Sequence, residues 1–418
     1  MRWYFAGLLP LLCLVVLVNA CPLGLVTSHG DKEVNSTNTL ARRVRVGGDD
    51  GTATTPKKIT DLFLLYDGPG GCVTKESTFD EWLAEVILLH KAITEAYATR
   101  KGNFPLMLMW STWFGVKVDH NTKDVDVKDV KNAILWKAIG DHISRVSKFL
   151  AGGGLTDYEV SGEKPRLFCG AEAGIHQPWA ESVVKDHKGK DVVTARDPDT
   201  KEPTEYLNLG KASPRDSRNP KANAFWMSAF NGYDIDFKGE TSLCADKPKS
   251  GGLRYAKTAL APVHVAPIWA DGAKFAVGKT NGHILFCPPA FSPDKGFHSY
   301  SSLTKAVETD NYPEAGVKDA SKALDKLMPV SATLYHEIYH LTDPANTADE
   351  GYTLDTIIQN AADKENEGTR VANSHNPETY AFFATAAYLF FAAPLSREQC
   401  VYLEGFPRKA SNPFVDPK

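Results

Sequence analysis

The strongest constraint on this chain of 418 residues is an H-E-x-x-H motif that begins at His336. Residues four apart lie on one face of an α-helix, so the imidazoles of His336 and His340 can reach a single metal ion. Glu337 can hold a water molecule on that ion without binding the ion itself. Pro329 suits the first turn of a helix over about 330–342. The sequence therefore predicts a helical zinc site with Glu337 as general base.

The third ligand is less constrained by spacing. The turn-forming stretch that starts at Asp343 can fold the chain back, which favours Asp349. No glycine and histidine follow His340 at the spacing that would supply a third histidine. A ligand from a later helix is also compatible with the motif. The other acidic candidates are Asp343, Asp355, Glu350, Glu365, Glu367 and Glu378.

The N-terminus indicates a secretory signal peptide over residues 1–20. Arg2 precedes an apolar run over 5–18, and small residues follow it. At about 14 residues this run is shorter than the roughly 20 that a membrane-spanning helix needs. A later apolar run, 380–393, is equally short. We therefore expect a secreted, extracellular protein that does not enter a membrane.

The cysteine count fits that expectation. One of the seven cysteines, Cys13, lies in the signal peptide, and an even number remains for up to three disulfide bonds. The remaining six are Cys21, Cys72, Cys169, Cys244, Cys287 and Cys400. The sequon at Asn35 predicts a glycan in a polar stretch.

The charge balance excludes a basic nucleic-acid binder as the default interpretation. Lys and Arg number 47 against 51 Asp and Glu, for a formal net charge of -4. We therefore expect no nucleic-acid partner and no membrane-surface role. Hydrophobic residues make up 43% of the chain and charged residues 23%, which are ordinary values for a globular protein.

The expected domain organisation has one large unit. Residues 21–60 read as a flexible segment or a short propeptide, with Arg42-Arg43 as a candidate processing site. A single domain is expected over 61–400, with a long irregular insertion at about 171–260, and a tail over 401–418.

The hydrophobic periodicity predicts an α+β fold that is mainly α-helical, with a small β-element. An apolar period near 3.6 residues indicates helices, and short runs bounded by turn residues indicate strands. The predicted helices span 79–99, 127–150, 317–328, 330–342 and 377–393, and the predicted strands 166–169 and 283–287.

The motif and the residues after it resemble a known family. H-E-x-x-H followed by Thr347-Ala348-Asp349 and Tyr352 resembles the aspzincin pattern, in which H-E-x-x-H precedes G-T-x-D-x-x-Y. This is the deuterolysin and peptidyl-Lys metalloendopeptidase group of secreted fungal zinc proteases. The chain departs from the pattern at Asn346, where the family has glycine. Weaker resemblances lie at 72, 168–169, 284–288 and 376–383.

The resemblance implies a zincin-like fold with H-E-x-x-H on its active-site helix. It implies a secreted, zinc-dependent endopeptidase of the EC 3.4.24 type, acting as a monomer on a protein or peptide substrate. The implied zinc ligands are His336, His340 and Asp349, with Glu337 as catalytic base. Tyr352 would donate a hydrogen bond to the oxyanion of the intermediate.

The resemblance also gives Glu378 and the cysteines candidate roles. Glu378 stands where Lys-selective members have an acidic residue, so it would bind a substrate ammonium; alternatively, it is a helix N-terminal carboxylate that the macrodipole favours. The implied disulfides are Cys72–Cys169 and Cys244–Cys287, which leaves Cys21–Cys400.

Two other functions remain open at the sequence level. The first is a secreted zinc-binding or interaction protein with a protease fold and no turnover, which the long insertion favours. The second is a gluzincin-type protease with a glutamate as third ligand. The presence of Glu337 and Tyr352 favours an enzyme over the binding protein, because a binding protein needs no base.

Overall fold

The structure is a computed structural model, and it describes only part of the chain. The described residues are 58–155, 164–212, 221, 223–236, 239–245, 254–259, 269–270, 273–274, 282–292, 302–363 and 366–418. The expected signal peptide, the segment up to residue 57, the sequon at Asn35 and Cys21 lie outside them.

Helices form most of the framework around the motif. In chain order they are α1 (Ile59–Leu62), α2 (Glu76–Thr99), α3 (Phe104–Phe114), α4 (Val130–Leu150), α5 (Leu209–Ala212), α6 (Leu324–Leu327), α7 (Ala332–Thr342), α8 (Leu354–Ala362), α9 (Glu367–Ser374) and α10 (Pro377–Phe391). The motif lies on α7. Helix α7 packs against α2, α4 and α10 and against one edge of a sheet.

Capping side chains set where several of these helices begin. The side chain of Asn103 accepts a hydrogen bond from the backbone N–H of Leu106 at the start of α3, and Asp129 accepts two from the first turn of α4. Asn376 caps α10, whose first residue is Pro377. These polar residues satisfy backbone donors that have no partner within the helix.

The strands are short. In chain order they are β1 (Leu64–Leu65), β2 (Val118–Asp119), β3 (Asp124–Val125), β4 (Arg166–Phe168), β5 (Ile175–Gln177), β6 (Val193–Arg196), β7 (Pro203–Tyr206), β8 (Asn223–Met227), β9 (Gly232–Asp236), β10 (Ala256–Ala259), β11 (Trp269–Ala270), β12 (Ala273–Lys274), β13 (His283–Phe286), β14 (Cys400–Glu404) and β15 (Phe406–Lys409). With the helices they make a mixed α and β structure.

The sheet beside the motif helix has the strand order β1-β4-β13-β10. Strands β1, β4 and β13 are parallel, and β10 pairs antiparallel to β13 at the edge. Thr258 of β10 lies opposite Ile284 in this pairing. The edge strand contacts α7, so the sheet helps to position the motif.

Aromatic and aliphatic side chains from the long helices fill the main core. Helix α10 packs on α2, α3 and α7, and nearly all of its side chains are buried. Trp110 of α3 lies 4.0 Å from Phe383 of α10 between ring centroids. Burying such large rings supplies much of the stability of a core, at about 25 cal/mol per Å² of apolar surface. The motif helix joins this core through α10, where the rings of Tyr339 and Tyr380 stack with centroids 4.4 Å apart.

The region expected to be an irregular insertion contains regular structure. Strands β5, β8 and β9 form one antiparallel sheet, and β6 and β7 form a hairpin. A small core of its own surrounds Trp226 and Tyr233. These strands were not predicted, because each is only three to five residues long and so carries too few positions for a period-2 pattern.

The structure confirms most of the predicted helices but not the predicted C-terminal tail. The helices predicted at 79–99, 127–150, 330–342 and 377–393 are confirmed within a few residues at each end. The helix predicted over 317–328 is wrong, because only the four residues of α6 form α-helix there. The tail expected over 401–418 is instead largely the β14–β15 hairpin, whose strand β14 is buried.

The described residues contain two disulfide bonds, and both confirm the expected pairing. Cys72 is bonded to Cys169 and Cys244 to Cys287. Cys400 is buried and forms no disulfide with any described residue. Its expected partner lies outside the described part of the chain. Among the described helices, none has the length and apolar character needed to span a membrane.

Candidate metal centre

The motif residues lie on a helix that is buried on most sides. His336 and Glu337 are buried, whereas His340 is half-buried at the next turn. Asp349 reaches the same place from the loop after α7, and more than a third of its side chain is exposed. The site is therefore anchored on one side by the core and open to solvent on the other.

Three candidate ligand atoms converge at this opening. Asp349 Oδ1 lies 3.2 Å from Nε2 of His336 and 2.9 Å from Nε2 of His340. Within the described residues, these three side chains form a group whose ligand atoms all lie within 4.8 Å of one another. The structure thus brings together the three ligands that the resemblance implies.

The contact of His336 with Glu378 determines which nitrogen of the neutral ring can bind an ion. Nδ1 of His336 lies 2.7 Å from Oε2 of Glu378. A carboxylate only accepts hydrogen bonds, so Nδ1–H is the donor in this pair. In the neutral ring the lone pair is then on Nε2, which faces Asp349. A carboxylate behind a histidine in this way is a common means of orienting a metal ligand.

The second histidine is oriented by a hydroxyl group. The hydroxyl of Thr347 donates to the backbone carbonyl of Asp343 at 2.8 Å, so its oxygen can accept from Nδ1–H of His340 at 3.2 Å. This assigns the proton of the neutral ring to Nδ1 and the lone pair to Nε2. In their neutral forms, which metal binding requires, both rings therefore present an Nε2 lone pair to the same point.

The electrostatics of the centre favour a positive charge. Burial lowers the pKa of His336, but hydrogen bonds to Asp349 and Glu378 and the charges of both raise it well above the usual range. Burial raises the pKa of Asp349, and its contacts with His336 and His340 bring it far below its usual value. Two carboxylates thus flank one buried imidazole, which suits either a proton or a cation there.

Tyr352 contacts Asp349, and Glu337 follows His336 on α7, but neither belongs to the group of three. The hydroxyl of Thr258 on β10 donates to the carboxylate of Glu337. Tyr352 donates a hydrogen bond to Oδ2 of Asp349. Burial and the neighbouring Asp349 raise the pKa of Tyr352 well above its usual range, so its hydroxyl keeps its proton. Tyr352 therefore touches a candidate ligand, and the charge of Glu337 also contributes to the raised pKa of Tyr352.

The donor set fits zinc. Two imidazole nitrogens and one carboxylate oxygen, with a fourth position left open, are a common set of zinc ligands. Two ligands on a tetrahedral zinc ion with bonds of about 2.1 Å lie about 3.4 Å apart. The two distances from Asp349 Oδ1, 3.2 Å and 2.9 Å, are slightly shorter than that. A small outward movement of Asp349 would bring these two distances to the tetrahedral value.

The other acidic candidates have different positions. Asp343 pairs with His142 and Arg145. Glu367 pairs with Lys131 and Arg370. Glu378 contacts His336 at Nδ1, on the side of the ring away from the other candidate ligands. Asp355 lies in the first turn of α8, and Glu350 is exposed. Glu365 is outside the described residues.

Several residues packed around the motif helix were not predicted from the sequence. They are Thr258 behind Glu337, and His142, Arg145 and His375 around Asp343. Nothing in their local sequence marks them, because each is far from the motif along the chain. Only the packing of β10, α4 and the α9–α10 junction against α7 brings them together.

Comparison with known proteins gives one informative similarity. No family model matches the chain, and no solved structure matches it. Part of the chain is similar to a Penicillium expansum protein named as the non-secreted LysM effector LysM17. The two are 68% identical over 149 residues, which cover 36% of this chain and 19% of that protein. The similarity is therefore local in both chains.

This relative contradicts several expectations. It is named as an effector, whereas the sequence predicted an aspzincin protease, a hydrolase with endopeptidase activity. It is named as non-secreted, whereas the sequence predicted a secreted, extracellular protein. By this comparison those predictions are wrong, and a protein or peptide substrate has no support. The motif did not reveal the difference, because its spacing suits two imidazoles on one ion whether or not a reaction follows.

Proposed function

We propose that this chain is a zinc-binding interaction protein without turnover. His336, His340 and Asp349 would hold one ion, and the fourth position would take a donor group from a binding partner. The observation that carries the proposal is the convergence of Nε2 of His336, Nε2 of His340 and Oδ1 of Asp349. The name of the relative, an effector, supports an interaction role over an enzymatic one.

The surroundings of the three ligands support binding. Glu378 and Thr347 orient the two imidazoles, and Tyr352 holds the free oxygen of Asp349. Such outer contacts raise metal affinity by fixing the ligands before the ion arrives. When bound, zinc supplies a positive charge and an open coordination position.

The fold that we propose around this centre is zincin-like. Its support is the packing of α7 against the edge of a mainly parallel sheet, where antiparallel β10 reaches Glu337 through Thr258. In the proposed role, Glu337 accepts a hydrogen bond from a water or partner group at the open position. This role needs the carboxylate of Glu337 but no transfer of a proton to a leaving group.

A zinc titration tests the metal site. The full chain, first stripped with a chelator, is titrated with zinc against a chromophoric competitor, and metal content is measured by mass spectrometry. We expect one ion per chain, and a loss of affinity of more than about 100-fold in His336→Ala, His340→Ala and Asp349→Ala. The matched control is His120→Ala, which removes an exposed histidine. Full affinity in the three variants would refute the site.

A turnover assay tests the absence of catalysis. The zinc-loaded chain is incubated with a denatured protein mixture, and new chain ends are sought by mass spectrometry. We expect none that disappear with chelator. Cleavage that is lost in Glu337→Gln while zinc remains bound would overturn the proposal of a binding protein, because it would show that Glu337 serves as a base.

A further inference from the structure

We propose that a buried cluster around Asp343 positions Asp349 and so sets the affinity of the metal centre. The Asp343 cluster consists of Asp343, His142, Arg145, Asn346 and His375. None of these residues belongs to the group of three candidate ligands. The inference rests on the proposed zinc site, whose third ligand lies on the loop that this cluster holds.

Asp343 is in an unusual position for a carboxylate. It follows the last residue of α7, where the partial negative charge of the helix end disfavours another negative group. It is also 4% exposed, so its charge is largely removed from water. A buried carboxylate at this position needs partners that offset the loss of hydration. Asp343 has such partners in α4, and it also contacts the loop that carries Asp349.

The compensating partners come from α4. Oδ2 of Asp343 lies 3.0 Å from Nδ1 of His142 and 3.3 Å from Nε of Arg145. Burial raises the pKa of Asp343, but its contacts with His142, Asn346 and Arg145 bring it below the usual value. Asp343 is therefore charged at neutral pH, and it ties the end of α7 to α4.

From Asp343 the contacts continue into the loop. Its Oδ1 accepts a hydrogen bond from the side chain of Asn346 at 2.8 Å. Its backbone carbonyl accepts from the N–H of Asn346 at 3.2 Å and from the hydroxyl of Thr347 at 2.8 Å. One residue thus fixes the turn that sends the chain back toward the motif. The same hydroxyl of Thr347 contacts His340.

A second line of contacts reaches the neighbour of Asp349. Nε2 of His142 lies 2.9 Å from Nδ1 of His375, and the backbone carbonyl of His375 accepts a hydrogen bond from the N–H of Ala348 at 3.1 Å. His142 therefore links Asp343 to the residue directly before Asp349. The loop is held at its start by Asp343 and near its ligand by His375.

The energetic reason for this arrangement is the exposure of the loop. Asp349 and its neighbours Ala348 and Glu350 are exposed, so the core does not fix them. A free loop loses conformational entropy when its carboxylate binds an ion, at about 1–2 kcal/mol for each residue fixed. A loop that is already held loses less, and the affinity is higher.

A double-mutant cycle tests this inference by zinc titration of the full chain. We expect Asp343→Asn to weaken zinc binding about 10- to 100-fold, as for other residues that support ligands. In an Asp349→Ala background, the same substitution should change affinity by less than about threefold, because the ligand through which it acts is gone. Asp319→Asn, at a turn outside the centre, is the matched control.

A milder variant protects the test against misfolding. Asn346 is exposed, so Asn346→Ala should fold normally and lose only its contact with Asp343. We expect it to weaken zinc binding by about three- to tenfold, less than Asp343→Asn does. An equal loss from Asp343→Asn in both backgrounds, or no loss from either variant, would overturn the positioning role.

Hydrogen exchange separates this inference from the proposed function. Without metal, Asp343→Asn should speed amide exchange in the peptide over residues 344–351, while α7 exchanges as before. If the wild-type chain binds no zinc but exchange increases in this way, the proposed function fails and the cluster still positions the loop. Unchanged exchange would refute the cluster, even if zinc binds.

Discussion

Oε2 of Glu378 lies 2.7 Å from Nδ1 of His336, while Nε2 of the same ring faces Asp349 at 3.2 Å. The carboxylate at the start of α10 is therefore directed into the metal centre from behind. The resemblance implied that this residue binds a substrate ammonium. Its contact with His336 supports a different role, the orientation of a candidate ligand.

The first prediction concerns this pair. Glu378→Gln should weaken zinc binding about tenfold, because the amide is uncharged and holds Nδ1–H less strongly than a carboxylate does. A competitive zinc titration measures the change. Glu76→Gln is the matched control, since Glu76 also lies in the first turn of a helix. If both variants bind zinc like the wild type, Glu378 acts only on the helix dipole.

How far the sequence could predict the site depends on the distance between its residues along the chain. His336 and His340 are four residues apart, so helical geometry alone places them together. Asp349 is close enough for a turn to return it, and the resemblance selected it among several aspartates. Thr258 contacts Glu337 and His142 contacts Asp343, but only long-range packing brings them to the motif helix.

In the fold, too, features set by local sequence could be predicted, whereas features set by long-range packing could not. Long amphipathic helices such as α4 are visible as a periodic apolar face with a capping Asp129. Helix α3 was missed because it is apolar on nearly all sides and buried, so that it has no polar face to reveal a period. Strands of two to five residues carry too few positions for a pattern, and their pairing partners are far along the chain.

The second prediction concerns Tyr352, whose hydroxyl donates to Oδ2 of Asp349. Tyr352→Phe should weaken zinc binding by about three- to tenfold, because Asp349 loses the contact that fixes its orientation. The effect should be modest, since Tyr352 is 39% exposed and water can replace the lost hydroxyl. Tyr206→Phe, at another exposed tyrosine, serves as control. An affinity equal to that of the wild type would exclude a role for this hydroxyl in metal binding.

The third prediction concerns the two disulfide bonds. Cys72–Cys169 spans 97 residues and Cys244–Cys287 spans 43, so each restricts the unfolded chain over a long loop. Replacing either pair with serine should lower the free energy of unfolding by about 3–5 kcal/mol, with the larger loss for the longer loop. Urea denaturation measures the loss, and the wild type in reducing buffer is the comparison. A variant as stable as the oxidised wild type would contradict the prediction.

The fourth prediction concerns His90, which is buried in α2 behind the motif helix. Its Nδ1 lies 3.0 Å from the hydroxyl of Tyr335, and its Nε2 lies 2.6 Å from Oγ of Ser147. Burial lowers the pKa of His90 from 6.5 to about 3. The folded chain therefore keeps this ring neutral in mild acid, whereas the unfolded chain binds a proton.

The sign of the effect of His90 on stability follows from this difference. As the pH falls from about 6.5 toward 3, the unfolded state gains a proton that the folded state does not, so the free energy of unfolding decreases. Between pH 7 and pH 4.5, the wild type should lose roughly 2–3 kcal/mol more than His90→Gln does. Urea denaturation at both values measures this, with His120→Gln as the exposed control. Equal losses in wild type and His90→Gln would show that His90 is protonated in the folded state as easily as in the unfolded one.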